Sequence, residues 1–196
     1  MKDLLERKIE EHIQMFVEMK EDTDLALSIM NAANLILKSI KTGGALYLCG
    51  NGGSAADAQH IAAEFVSRFY HERKALHAEA LTVNTSCLTA IGNDYSFDDV
   101  FSRQLEAKGR QGDTLLGLST SGVSQNVINA IEYASKNGIH TIFLTGNKDR
   151  FYDNKVYEQV IRIPSGNIPR IQEAHIFIGH MIAEYVEREI VKENRK

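Results

Sequence analysis

The stretch "ALYLCGNGGSAADAQHIAAEF", Ala45 to Phe65, decides the reading of this chain. A short apolar run leads into a glycine-rich turn, and the turn opens a segment of helical character. Strand, tight turn and helix in that order form the first half of a βαβ unit. A turn of this kind can present free backbone N–H groups to a phosphate. His60 and Glu64 follow it four residues apart, on one helix face. Such a pair can hold a metal or move a proton. The plain alternative is a surface ion pair worth about 0.3–0.5 kcal/mol. Arg68 stands a further turn along, where it would meet an anionic ligand.

On the N-terminal side, Leu5, Ile9, Ile13 and Phe16 recur at helical spacing and predict an amphipathic helix over about 3–19. "EDTD" supplies N-cap candidates for a second helix, whose stripe runs through Leu25, Ile29, Ala33, Ile36 and Ile40. Gly43-Gly44 stops it. Downstream, "EALTV", "DTLLGLS", "HTIFLTG" and "EQVIRIP" read as strands. "SFDDVFSRQLEAKG" and "NVINAIEYASKNG" read as helices between them, and "RIQEAHIFIGHMIAEYVEREIVKE" as a long closing helix. Apolar strands alternating with helices specify a parallel sheet covered on both faces. The expectation is an α/β fold: a five-stranded parallel sheet flanked by helices, flavodoxin-like but without a nucleotide. It forms one domain over 1–196, with 1–43 as an N-terminal helical extension.

Composition sets the bounds. The chain has 196 residues, a formal net charge of -4, 43% apolar and 24% charged residues, as ordinary globular proteins do. That charge argues against a nucleic-acid partner. No apolar run approaches the ~20 residues of a membrane span. The charged, helical N-terminus has no secretory core, so the expected location is cytoplasmic. The two cysteines, Cys49 and Cys87, form no CxxC, which leaves no thiolate zinc motif.

Ligands of such sheets bind beyond the carboxyl ends of the strands. Two polar turns fall there: "GNGGS", and "STSGVS" with its four hydroxyls, Ser119, Thr120, Ser121 and Ser124. Hydroxyls and free N–H groups at a helix start suit a phosphate ester. N-capping is the competing use, though one hydroxyl would serve it. "GNGGSA" formally fits a dinucleotide GxGxxA. The helix after it carries polar Asp57, Gln59 and His60 where close packing is needed, and "EALTVNTS" ends in Asn84 instead of a ribose-binding acid. GxxxxGK[ST] is absent, so no nucleotide cofactor is expected. "IGNDYSFDDVF" places Asn93 and Asp94 at a polar corner, which is usually a turn.

The closing helix carries Gln172, His175 and His180, and is apolar nearly all round in its middle. His175 reads as a satisfied core histidine. Gln172 and His180 lie ~12 Å apart along the axis. A common metal would therefore be reached most easily with His180 crossing from a neighbouring subunit. An apolar face from Ile176 to Ala183 that one sheet cannot cover also predicts a symmetric oligomer.

Taken together, "CGNGGSAADAQHIAAEF", "AIGNDYSFDDVF", "GLSTSGVSQNV" and "RIQEAHIFIGH" resemble the phosphoheptose isomerases, a family of the sugar isomerase (SIS) fold. The resemblance spans nearly the whole chain, with four motifs in order. It implies conversion of sedoheptulose 7-phosphate to D-glycero-D-manno-heptose 7-phosphate through a cis-enediol, for lipopolysaccharide or capsule precursors. It further implies substrate contacts from Asn51, Gly52, Gly53, Glu64, Asn93, Asp94, Ser119, Thr120, Ser121, Ser124 and Gln172. By the same resemblance, zinc is held by His60, Glu64, Gln172 and His180, one divalent ion per site. Glu64 acts as base and His180 as acid or second base, and a carboxylate held tightly by a metal is the poorer base. A cytoplasmic homotetramer with shared active sites is also implied. No contact is carried over from residues 166–170, where "GNIPRIQ" brings Pro169 into a variable stretch. A non-catalytic SIS relative, the initiator-associating protein of bacterial replication, has similar loops but lacks the carboxylate and the late histidine. Glu64 and His180 favour the enzyme over such a module, which would bind only a sugar phosphate or a protein partner.

Overall fold

The computed structural model describes residues 1–147 and 156–193. Helices α1 (Lys2–Glu21) and α2 (Thr23–Lys41) form the opening hairpin. Asp22 caps α2 by accepting from the Leu25 N–H at 2.8 Å, as "EDTD" suggests. There follow β1 (Leu46–Gly50), α3 (Gly53–Val66), β2 (Ala78–Ala80), α4 (Thr85–Asp94), a 3₁₀ turn at Phe97–Asp99, and α5 (Ser102–Lys108). The second half is β3 (Thr114–Ser119), α6 (Gln125–Lys136), β4 (His140–Gly146), β5 (Gln159–Ile163) and α7 (Ile168–Glu193). Pro169 falls in the first turn of α7, where a missing N–H has no intrahelical partner to lose.

All five strands are parallel, in the order β2-β1-β3-β4-β5. Alternate side chains separate two cores. Leu46, Leu48, Leu116, Leu118, Ile142 and Leu144 face α2, α3 and α7, while Tyr47, Leu115 and Phe143 face α5 and α6. Strand order reverses between β1 and β3, whose ends pair Gly50 with Leu118. That is the switch point where sheets of this kind bind ligands.

Between β1 and β3 the structure departs from the sequence reading in three places. The sequence predicts no helix over α4 and makes only its end, Asn93 and Asp94, a polar corner. The segment is a helix because the Asn84 side chain accepts from the Cys87 N–H at 3.0 Å, yet it buries no residue, so its apolar pattern is too thin to read. "EALTV" forms a strand only over Ala78–Ala80, since the chain turns at Thr82 to reach that cap. The helix expected over "SFDDVFSRQLEAKG" is split, because Val100 and Phe101 turn into the core and are 0% and 2% exposed.

The opening helix forms, but its expected apolar stripe faces outward: Leu5, Ile9 and Ile13 are exposed, while Met15 and Met19 are buried. Phe177 and Met181 of α7 are exposed as well, the uncovered face expected of that helix.

His175 is fully buried, as expected, but not satisfied. Both ring nitrogens lack a well-formed hydrogen bond. Burial drives its pKa down to about 4, and a polar contact with the Thr145 backbone offsets only part of that. The unfolded chain takes up a proton near 6.5 that the folded core refuses until about 4. Stability from this residue is therefore present above pH ~6.5 and lost as pH falls toward ~4, by up to ~3 kcal/mol at ~1.4 kcal/mol per unit. Urea unfolding of the wild type and His175→Leu at several pH values should show their stability difference changing by roughly that amount across this window. A difference that stays constant with pH would contradict the assignment.

Candidate active site

The two polar loops emerge side by side from β1 and β3. In the first, Gly52 has φ +55°, a conformation that favours glycine, and so lets the strand turn directly into α3. Gly53 has a different reason: a Cβ there would lie 2.5 Å from the Gln172 amide nitrogen. In the second loop, Ser119 and Ser124 hydroxyls are 2.8 Å apart, and Ser121 is 3.4 Å from Ser119. Ser124 occupies the N-cap position of α6, yet its side chain does not cap the helix. The hydroxyls thus cluster on one another, and Thr120 lies beside them, half-buried. A reciprocal amide pair joins the loops. Asn51 donates to Asn126 at 2.8 Å, and Asn126 donates back at 2.9 Å. Asn126 is buried, and sequence reasoning misses it because a polar residue at a helix start reads as a cap.

From the first loop, α3 runs parallel to α7. Gly53 lies against Gln172, Ile61 against Gly179, and the backbone at Phe69 against Glu187. This register brings His60, Glu64 and His180 together. His180 Nε2 is 3.1 Å from His60 Nε2, and His60 Nε2 is 3.2 Å from Glu64 Oε1. One ligand atom from each lies within 4.8 Å of the others. Two donors at ~2.1 Å from a tetrahedral ion would sit ~3.4 Å apart, close to the 3.1 and 3.2 Å about His60 Nε2, and imidazole and carboxylate donors suit a divalent cation. The Phe69 ring backs His180 at 5.6 Å.

His180 reaches His60 within one chain, which removes the geometric reason for expecting it from a neighbour. Gln172 stands two turns of α7 before His180, and its amide lies over Gly53. Asn93 and Asp94 end α4, exposed, with Asn93 donating to Asp94 at 2.8 Å. Arg68 lies beyond the end of α3, exposed and 3.6 Å from Glu72. Arg170, in the stretch from which no contact is carried over, is paired with Glu173 at 2.6 Å. Asp57, one turn before His60, reads in the sequence only as a polar residue. Burial pushes its carboxyl up to about 6, against the pull of nearby His60.

The SIS domain family matches residues 10–146 of the chain. A phosphoheptose isomerase from Clostridium acetobutylicum is 47% identical over 193 residues, 98% of each chain. The chain belongs to the phosphoheptose isomerase family of SIS-domain proteins. Among solved members, the phosphoheptose isomerase from Francisella tularensis superposes with TM-score 0.89 at 34% identity, covering 95% of this chain and 97% of that one. The one from Neisseria gonorrhoeae gives 0.84 at 40%, covering 95% and 98%. The phosphoheptose isomerase fold implied by the four motifs is therefore borne out over nearly the whole chain.

The cluster depends on close approach at Gly179, where a Cβ would lie 2.5 Å from Ile61 Cδ1 and Cγ1. Gly179→Ala should destabilise the protein by ~1–3 kcal/mol, as overpacking does. Adding Ile61→Ala, which removes both clashing atoms, should cost less than the sum of the single changes. Urea titration of the three variants measures this, and strict additivity would show that the helices do not meet there.

Proposed function

We propose that the chain interconverts sedoheptulose 7-phosphate and D-glycero-D-manno-heptose 7-phosphate. The observation that carries the reading is the meeting of Glu64 with His60 and His180, on the helix that leaves the first loop. The relatives above, named for that isomerisation, support the same chemistry.

In this reading Ser119, Thr120, Ser121 and Ser124 hold the phosphate. Their hydroxyls and the start of α6 offer donors, and Ser124 is not engaged in capping. Asn51, Gly52, Gly53, Asn93, Asp94 and Gln172 contact the sugar, and the closeness of Gln172 to Gly53 supports a shared ligand for those two. Glu64 takes a proton from C1 of the ketose, the C1–C2 enediol forms as the carbonyl oxygen at C2 is protonated, and Glu64 returns a proton to C2. His180 gives a proton to O2 and accepts one from O1, so the aldose forms with no net gain or loss of protons. Glu64 is half-buried, with its Oε1 3.2 Å from His60 Nε2.

His60, Glu64, Gln172 and His180 would hold a divalent ion, zinc in this reading, which when bound supplies Lewis-acid polarisation of the substrate carbonyl, whereas Glu64 and His180 exchange protons only when not engaged by it. Gln172 serves as a substrate contact as well. The protein acts in the cytoplasm as a homotetramer, feeding heptose to lipopolysaccharide or capsule. The outward apolar stripe of α1 and a groove of about 450 Å³ lined by Phe16, Met30, Phe177 and Met181 support self-association. No helix among the described residues is long and apolar enough to cross a membrane.

The decisive experiment incubates the purified protein with sedoheptulose 7-phosphate and follows aldoheptose 7-phosphate; no product would sink the reading. Glu64→Gln keeps the shape but cannot take the proton, so kcat should fall by about 10²–10⁴-fold with substrate still bound. Retention of most activity would place the base elsewhere. Removing the Ser119 and Ser124 hydroxyls together, each bond worth on the order of 1 kcal/mol or more toward an anion, should raise KM more than it lowers kcat. An unchanged KM would show that these hydroxyls serve only the loop itself.

A further inference from the structure

Arg73 and Glu187 are both charged and both sealed from water, with side chains 2% and 1% exposed. Glu187 lies on α7, seven residues after His180. Its Oε1 accepts from the Phe69 N–H at 2.7 Å, and its Oε2 accepts from Tyr70 at 2.6 Å and His71 at 2.9 Å. Arg73 Nε approaches Oε1 at 3.2 Å, as an ion pair more than as a directed hydrogen bond. The guanidinium then donates Nη2 to the Glu64 carbonyl at 2.7 Å. Nη1 reaches the carbonyls of Phe65 at 2.8 Å, Lys74 at 3.1 Å and Ser67 at 3.2 Å.

Carbonyls at a helix C-terminus have no intrahelical partner. Arg73 supplies one at the end of α3, and it does so at the backbone of Glu64 itself. Glu187 holds the next turn, Phe69–His71, and so sets the Phe69 ring that backs His180. Burial works to raise the Glu187 carboxyl, but the three N–H donors and Arg73 outweigh it and hold it below the usual carboxylate range. A hydrophobic pair could fill this volume without burying two charges, and such replacements are often neutral or stabilising. It could not bind the backbone on both sides of the site.

We infer that Arg73 and Glu187 are positioning residues of the isomerase site, Arg73 fixing the backbone that carries Glu64 and Glu187 fixing the turn that places Phe69 behind His180. The inference rests on the function proposed above. Its observables are the kcat-against-KM split and the state of the histidine rings.

Glu187→Gln keeps the shape but sets an amide NH₂ against backbone N–H donors. We expect kcat to fall about 10-fold or more, as when groups that orient the reacting side chains are lost. KM should stay within about 3-fold, because the phosphate loop hangs from β3. In protein carrying ¹³C-labelled histidine, the ring resonances of His60 and His180 should shift, and Co²⁺ affinity should fall about 10–100-fold. A folded Glu187→Gln protein with wild-type kcat and unshifted rings would overturn the inference, even if its melting temperature were lower. Should that variant fail to fold, Arg73→Lys takes its place. An ammonium in place of the guanidinium would keep the charge but could not bridge the same carbonyls, and wild-type kcat and rings there would overturn the inference equally. If the wild type did not turn over sedoheptulose 7-phosphate, the proposed function would fail, while the ring resonances and Co²⁺ affinity would still decide whether the pair positions the cluster.

Discussion

The contact between Ile61 and Gly179 sets the geometry of this molecule's chemistry. Two helices can approach closely only where one presents no side chain, and a Cβ at residue 179 would collide with Ile61. With that contact made, α3 and α7 are locked in parallel register. The same register lays Gln172 over Gly53, puts His180 against His60, and brings Glu187 to the N–H groups of Phe69, Tyr70 and His71. Shifting one helix by a residue would move its partners ~1.5 Å along the axis and rotate them ~100° around it. The cluster would not survive that.

The sheet supplies the second constraint. Because strand order reverses between β1 and β3, no crossover helix covers the gap at their carboxyl ends. Both polar loops open into it, and the Asn51–Asn126 amide pair ties them together. Each amide satisfies the other, so the loops keep their spacing. A phosphate would then meet hydroxyls and backbone N–H groups already in place.

Buried polar groups are treated in two opposite ways. Glu187 is buried and remains charged, because three amides and a guanidinium replace water around it. His175 is buried without such partners and is held neutral, its pKa near 4. Both lie on α7, twelve residues apart, on a helix that is buried on several sides. Desolvation acts on both. The difference lies in the number of donors and acceptors aimed at each, which only the packing of neighbouring elements supplies.

Local pattern was enough for the layer order. The apolar runs in "ALYLC", "DTLLGLS" and "HTIFLTG", the glycine turn at Asn51–Gly53 and the hydroxyl-rich loop at Ser119–Ser124 are all short-range signals, and the family motifs are contiguous too. His60 and Glu64 belong with them, since helical spacing alone puts them on one face. Helix α4 escaped because it buries nothing, and burial is what writes apolar periodicity into a sequence. The partners of Glu64 and of Asn51 were beyond local reading. His180 comes from 116 residues further along, Arg73 from a loop with no periodicity, and Asn126 from a helix start that looks like an ordinary cap. The direction of the apolar stripe on α1 was also undetermined, because helical spacing shows that one face is apolar but not what covers it. A sequence records which residues want the same side of an element. Which elements meet, and in what register, depends on contacts such as Ile61 against Gly179, where the decisive feature is a side chain that is missing.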